Sequence, residues 1–371
     1  MSRLPSQLDP PRTLSASRLF PVRLSRSLVP QPTTPQRVLP ALPASMVGFR
    51  HIPLPAHPSA LLPRFPSYAF ASHVQTTLQQ ELLAWKARPS AARGAPPPPS
   101  LLTFTPTPTY TLGRRQTEPL PESEAARLRA PLFLPPSGES EKWPALDAHS
   151  RREAAFFNPA VTHAPRGGLT TYHGPGQLVI WPVIDLHSPL HAHLSVRDYA
   201  CLLEKTTIAA LEKEWGLVGF TTDNPGVWVR SGASRNEERG GKPGGDERKI
   251  AALGVHLRRH VTGLGVAINY STPVTGPEET NPWGRIVACG LGDRGVTSVC
   301  AELGIKNNTA QSALDRLAGT WQAEFIQRLK FRSNDVGSPR PFDIDQSMKD
   351  FRGSEAGDFL DAANPVADLG I

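Results

Sequence analysis

The stretch RGGLTTYHGPGQLVIWPVIDL, residues 166–186, runs a Gly-Gly turn, a Tyr-His pair and a Gly-Pro-Gly turn directly into an apolar strand. Gly167 and Gly168 carry no Cβ, so the backbone there can turn with positive φ and lie flat against a carbonyl or an acyl chain. A tight hairpin without function has the same local pattern. Two later segments give the stretch its weight: ERKIAALGV around Lys249 adds an amine, and IVACGLG around Cys289 adds a thiol.

Working outward, residues 249–271 read as two strands. Alternation in the first puts Lys249, Ala251, Leu253 and Val255 on one face and Ile250, Ala252, Gly254 and His256 on the other, with small residues leaving space on both. The strand PGVWV at Pro225–Val229 precedes them. Between lies a Gly-, Ser- and charge-rich stretch, 231–247, read as a loop inserted in a hairpin. On the N-terminal side, Ser195 with Asp198 three residues on predicts a capping box for a helix with Val196, Tyr199 and Leu203 inward, Cys201 packing on it. Further upstream, Ser72 is read as the cap of a helix with Val74, Leu78, Leu82 and Trp85 on one face. LLTFTPTPTYTLGRR is read as an edge or bulged strand, because Pro106 and Pro108 cannot donate to a ladder. The Pro-, Glu- and Ser-rich residues 117–158 read as a long surface insertion. Near the end, Leu314, Leu317, Trp321, Phe325 and Leu329 form a helical stripe, and the acidic residues 333–371 read as a disordered tail.

The chain has 371 residues, 39% of them hydrophobic, and 40 prolines. That suits one domain of about 200–250 residues with extensions. A net charge of +7 invites a nucleic-acid reading, but its distribution argues against one. Residues 1–50 carry seven arginines and one acid, whereas the segment from Ser333 has three basic and eight acidic residues. The basicity is therefore N-terminal, in an Arg- and Ser-rich stretch almost free of acids. This is the profile of a mitochondrial targeting peptide over residues 1–46. On a helical wheel Leu14, Phe20, Leu24 and Leu28 share an arc opposite Arg12, Arg23 and Arg26, although Pro21 interrupts a single long helix. No apolar run approaches the ~18 residues that cross a membrane, so neither nucleic acid nor membrane is expected as a partner.

Three cysteines, Cys201, Cys289 and Cys300, without CxxC spacing speak against a disulfide framework or a zinc site. A cysteine flanked by glycine and small residues is either a buried hydrophobe or a nucleophile. An ordinary thiol titrates near ~8.5, so attack at neutral pH needs a neighbouring cation or base. Arg285 cannot serve as a base. Lys249 both stabilises a thiolate and exchanges a proton, and His173 is the rival partner, with no third group in sight to orient it.

RGGLTTYHGPGQLVIWPVIDL, GRR at Gly113–Arg115, PGVWV, RKIAALGV, GVAIN at Gly265–Asn269, and ACGL followed by VTS at Val296–Ser298 together resemble the lipoyl(octanoyl) transferases, in the family's order over about residues 101–304. The resemblance implies an α/β (α+β) catalytic domain, residues 47–332, of mixed β-sheets flanked by helices, like the biotin and lipoate protein ligases. It implies an acyltransferase that moves octanoyl from octanoyl-acyl carrier protein to a lysine of lipoyl-domain proteins. The acceptors would be the 2-oxoacid dehydrogenase acyltransferase subunits and the glycine cleavage H protein. On this reading Cys289 is the thioester nucleophile and Lys249 the residue that lowers its pKa. Substrate would meet Arg166, Gly167, Gly168, Leu169, Thr170, Thr171, Tyr172 and His173, then Ala252, Leu253 and Gly254, and finally Gly265, Val266 and Ala267. No cofactor or metal is implied, since a thioester arrives activated; an ATP-dependent lipoate ligase or an amidotransferase on the same fold is the alternative. The pattern departs from the family at Leu264, where many members have histidine, and in the longer segments 231–247 and 272–285.

Overall fold

The computed structural model describes residues 48–55, 57–58, 63–134, 155–230, 247–286, 294–305, 310–332, 341–352 and 360–362. The targeting stretch 1–46, the loop 231–246 and Cys289 lie outside them.

In chain order the strands are β1 (Arg50–Pro53), β2 (His57–Pro58), β3 (Pro63–Pro66), β4 (Ser100–Phe104), β5 (Thr109–Leu112), β6 (Leu132–Leu134), β7 (Ala155–Phe157), β8 (Ala160–His163), β9 (Thr171–His173), β10 (Gln177–Val183), β11 (Gly226–Arg230), β12 (Glu247–Arg258), β13 (Val261–Asn269), β14 (Gly295–Val296) and β15 (Leu360–Ala362). The helices are α1 (Tyr68–Ala87), α2 (Glu122–Arg129), α3 (Val196–Trp215), α4 (Val299–Leu303), α5 (Ala310–Leu329) and α6 (Ile344–Arg352). The main sheet runs β1-β4-β10-β13-β12-β11, with β14 also on β12. It is mixed: β1–β4 and β12–β14 are parallel, and the other pairs are antiparallel. Smaller sheets are β8-β5-β9, β15-β3-β2 and β6-β7. This is the expected α+β architecture of mixed sheets and helices.

Period-2 alternation in the central strands feeds two cores, one on each face of the sheet. Leu178, Ile180, Val227, Val229, Val266 and Ile268 face α3 and α5, meeting Tyr199, Leu203, Leu211 and the stripe Leu314, Leu317, Trp321, Phe325 and Leu329. Trp321 Nε1 donates to Thr207 Oγ1, tying the two helices together. Leu102, Phe104, Val179, Trp181 and Ala267 face the other way, against Phe70, Val74, Leu78 and Leu82 of α1 and Phe351 of α6. Each such buried side chain contributes about 1.5–3 kcal/mol. The capping box at Ser195 and Asp198 is formed as expected. Val196 is an exception to the inward set, at 51% exposed, because it opens the helix on the solvent side while Tyr199 and Leu203 begin the buried stripe.

Four expectations need correction. The cap of α1 is Ser67, whose side chain accepts from Phe70 N–H; Ser72 lies inside the helix and donates back to the Tyr68 carbonyl. Tyr68 and Phe70 are buried, so the apolar face starts a turn earlier than the stripe from Val74 indicates. LLTFTPTPTYTLGRR is two strands in two sheets, β4 and β5, and Pro106 and Pro108 mark the crossing rather than an edge. The segment 117–158 is not all surface: Leu128, Leu132, Leu134 and Phe157 share a third core with Tyr110, Tyr172 and Trp283. Nor is the acidic tail without structure. In α6, Phe351 packs on Phe70 with ring centres 5.4 Å apart, and β15 pairs with β3.

Candidate active site

The site face of the sheet is opposite α3 and α5, at the end where β13 stops and β14 takes its place beside β12. A register shift between β11 and β12 sets Val227 opposite Ala251 but Trp228 opposite Lys249. Ile250 is the extra residue of this bulge, and both Ile250 and Ala251 enter the α3–α5 core. Strict alternation would have put Lys249 on the face of Ala251. The bulge instead places Lys249 on the opposite face, with Trp228 and Gly254.

Lys249 is buried, 5% exposed. Its Nζ donates to the Pro225 carbonyl at 3.1 Å and sits 4.7 Å from the centre of the Trp228 ring. Trp228 in turn donates from Nε1 to the Asn224 carbonyl. On the other side of β12, Val296 of β14 is the register partner of Lys249, and Thr297 N–H donates to the Lys249 carbonyl. The chain leaves the described structure at Ile286 and returns at Arg294, whose guanidinium lies 5.3 Å from the same Trp228 ring. The segment containing Cys289 is thus bracketed by anchored residues. Upstream, buried Arg285 donates to the carbonyls of Glu278, Leu128, Ala130 and Pro131. Downstream, Ser298 caps α4, and Arg248 pairs with Glu302 at 3.0 Å.

His173 closes the second part of the site. Its Nδ1 is 2.9 Å from Gln177 Oε1, while Gln177 Nε2 donates to Asn269 Oδ1 and Asn269 Nδ2 donates to the Thr297 carbonyl. Because Gln177 Nε2 is committed as a donor, Oε1 must accept, which puts the histidine proton on Nδ1 and leaves Nε2 an acceptor. The Tyr68 ring stacks on the imidazole at 5.5 Å. Burial above all, then the Arg166 charge, holds the His173 pKa down to about 4. The ring is therefore neutral at physiological pH, an oriented acceptor rather than a cation.

Arg166 is buried, and its guanidinium donates to the carbonyls of Thr111, Gly167 and Leu169 and to Thr111 Oγ1. Gly113, Arg114 and Arg115 donate their N–H groups to Leu169, Arg166 and Gly168 in that order. So GRR and Arg166 hold the glycine turn in shape, and Gly168 takes φ +86° within it. Across from the turn, Gly254 and Gly265 are register partners, as are Ala252 and Ala267. These four positions make a floor of small residues on the site face, and a Cβ on Gly254 would stand 2.8 Å from Arg166 Cδ. Leu253 and Val266 point away from the floor, into or against the α3–α5 core. Leu264, the departure from the family pattern, is buried with φ +60°, and its N–H donates to Gln75 Oε1 at 2.5 Å.

Residues 144–321 match the model of the lipoyl protein ligase A/B catalytic domain. A Schizosaccharomyces pombe protein named "Probable octanoyltransferase" is 32% identical over 233 residues, 62% of this chain and 80% of its own length. The chain belongs to the octanoyltransferase family. A mitochondrial octanoyl-acyl-carrier-protein:protein N-octanoyltransferase from Danio rerio is 34% identical over 207 residues, 56% of this chain and 68% of its own. Among solved structures, a bipartite lipoate protein ligase from Thermoplasma acidophilum overlaps 83% of this chain and 92% of its own at 13% identity, with a TM-score of 0.43. Like the rest of the octanoyltransferase family, the protein is an acyltransferase.

Of the two cysteines among the described residues, Cys300 is poorly placed for attack. Cys300 is 1% exposed, and burial pushes its pKa up to about 11. Cys201 lies part-buried on α3. Several residues of the candidate site had no role legible in the sequence, although most of them stand inside the quoted motifs. Gln177, Asn269, Thr297 and Tyr68 meet only through long-range contacts, and Trp228 was legible as a motif letter without a role.

Proposed function

We propose that the protein takes octanoyl from octanoyl-acyl carrier protein onto Cys289 as a thioester and passes it to a lysine of lipoyl-domain proteins, in the mitochondrion. The observation that carries this reading is the placing of Lys249: its amine is buried on the site face, and its backbone is paired to the strand that returns from the Cys289 segment. The Danio rerio relative's name, with an acyl-carrier donor and a mitochondrial address, supports the donor and the compartment. The Arg-rich residues 1–46 fit a transit peptide.

In this mechanism Lys249 takes the Cys289 proton, and the thiolate attacks the thioester carbonyl. The tetrahedral intermediate collapses, the C–S bond to the carrier breaks, and Lys249 returns the proton to the departing thiolate. The acceptor lysine amine then attacks octanoyl-Cys289, an amide C–N bond forms, and the Cys289 thiolate leaves, with the amine's proton passing back through Lys249. The alkyl chain would lie beside the 166–173 turn near Ala252 and Ala267, while the space over Gly254 and Gly265 is taken by Arg166 and by Ile180 and Pro182. His173, neutral and oriented, supplies an acceptor near that turn.

The test is intact-protein mass spectrometry of the chain and its Cys289→Ser variant after incubation with octanoyl-acyl carrier protein and no ATP. An octanoyl adduct on wild type alone is the expected result. Transfer that appears only with free octanoate and ATP would instead make the protein a ligase.

A further inference from the structure

We propose that Glu204, on α3, is a positioning residue for Lys249 that acts through the Pro225–Gly226 peptide. The inference rests on the role given to Lys249 above. Gly226 N–H donates to Glu204 Oε1 at 3.0 Å, and the carbonyl of the same peptide unit, Pro225 O, accepts from Lys249 Nζ at 3.1 Å. A peptide is planar with its N–H and C=O directed oppositely, so anchoring the N–H fixes where the carbonyl points. The carboxylate also polarises the amide, which strengthens the carbonyl as an acceptor.

Two features make this peptide a dedicated part. Gly226 has φ +129°, a conformation L side chains rarely adopt, and a Cβ there would stand 2.5 Å from the Ala251 carbonyl oxygen and 3.4 Å from Lys249 Cε. The preceding residue is held as well, through Trp228 Nε1 on Asn224 O. The charged groups around Lys249 divide by function. Glu247 pairs with Arg230 at 2.8 Å and with Arg294 at 3.4 Å, and Glu302 pairs with Arg248. Glu204 instead directs its carboxylate to the one peptide that carries the lysine. Burial raises the Glu204 pKa above the ordinary carboxylate value, opposed by the Gly226 N–H bond and the Lys249 charge.

The test compares single-turnover acyl capture from octanoyl-acyl carrier protein by Glu204→Ala, Glu204→Gln, Lys249→Ala and the Glu204→Ala/Lys249→Ala pair, each normalised to folded protein by urea unfolding. Glu204→Ala is expected to slow capture about tenfold with the KM for the donor changed less than twofold. Glu204→Gln, which keeps an acceptor oxygen for Gly226 N–H, is expected to recover to within about threefold of wild type. In the Lys249→Ala background Glu204→Ala is expected to cost nothing more. Additive losses in the pair, equal impairment of the Gln and Ala variants, or wild-type capture by Glu204→Ala would each overturn the proposal. Wild-type capture by Lys249→Ala would instead overturn the role of the lysine itself.

Discussion

Lys249 Nζ stands 4.7 Å from the centre of the Trp228 ring, with that ring fully buried beneath it. The electron-rich indole face attracts positive charge held above it, and Pro225 O accepts a hydrogen bond from Nζ. The contact exists only because the β11–β12 bulge puts the two residues opposite each other.

Replacing that ring by an alkyl group should therefore remove a seat for the cation. A cation–π contact of about 1–2 kcal/mol corresponds to roughly tenfold in rate. Trp228→Leu is expected to slow acyl capture about tenfold beyond any loss of folded protein, and Trp228→Phe, which keeps a π face, by less than threefold. Quenched-flow capture assays on protein of measured folded fraction compare the two; equal rates for Leu and Phe would rule the contact out.

The glycines packed against the 166–169 turn leave little room for added atoms. At Gly254 a Cβ would press on an Arg166 side chain pinned by its carbonyl partners, and at Gly113 it would strike the Gly168 carbonyl oxygen. Overpacking of this kind costs about 1–3 kcal/mol. Gly254→Ala is expected at the lower end and Gly113→Ala at the upper, because backbone yields less than a side chain. Urea midpoints measure the order.

His173 links stability to pH. Its folded pKa, about 4, lies below the ordinary value of 6.5, so between those limits the unfolded chain binds more protons. Stability is lost as pH falls through this window, and the loss is complete below the folded pKa. The contribution between pH 7 and pH 5 is about 2 kcal/mol. In His173→Gln the fall in urea stability over that range should be smaller than in wild type by about this amount; an unchanged pH slope would contradict it.

A control for helix stability without chemistry is available in α3. Ser195 Oγ accepts from Asp198 N–H at 3.1 Å on an exposed turn. Ser195→Ala should cost about 1 kcal/mol and leave the acyl-capture rate of folded protein unchanged, as read from thermal unfolding and the same capture assay.

Much of this was legible before any coordinates. Glycines at 167, 168, 254 and 265, the Lys249 strand and the stripe on α5 are local patterns, and local patterns survive in sequence. The lysine's face was not legible: period-2 reading put Lys249 with Ala251, and a one-residue bulge at Ile250 reversed it. The orienting group for His173 was equally hidden, although Gln177 is only four residues away, because its role depends on Asn269 of β13 and on Thr297 just past β14. Composition misled in a different way at 117–158 and in the acidic tail. There a few apolar residues, Leu128, Leu132 and Phe351, do the packing while their polar neighbours set the average.

Arg285 has one more consequence. Its guanidinium donates to the main-chain carbonyls of Leu128, Ala130 and Pro131 together with that of Glu278. Removing the α2–β6 segment would leave the buried guanidinium with the Glu278 carbonyl but without its other three carbonyl acceptors, a penalty of several kcal/mol. The segment and the arginine are therefore expected to be inherited or lost together: relatives with a short connection here should carry an uncharged residue where this chain has Arg285, and grafting one feature without the other should unfold the approach to Cys289.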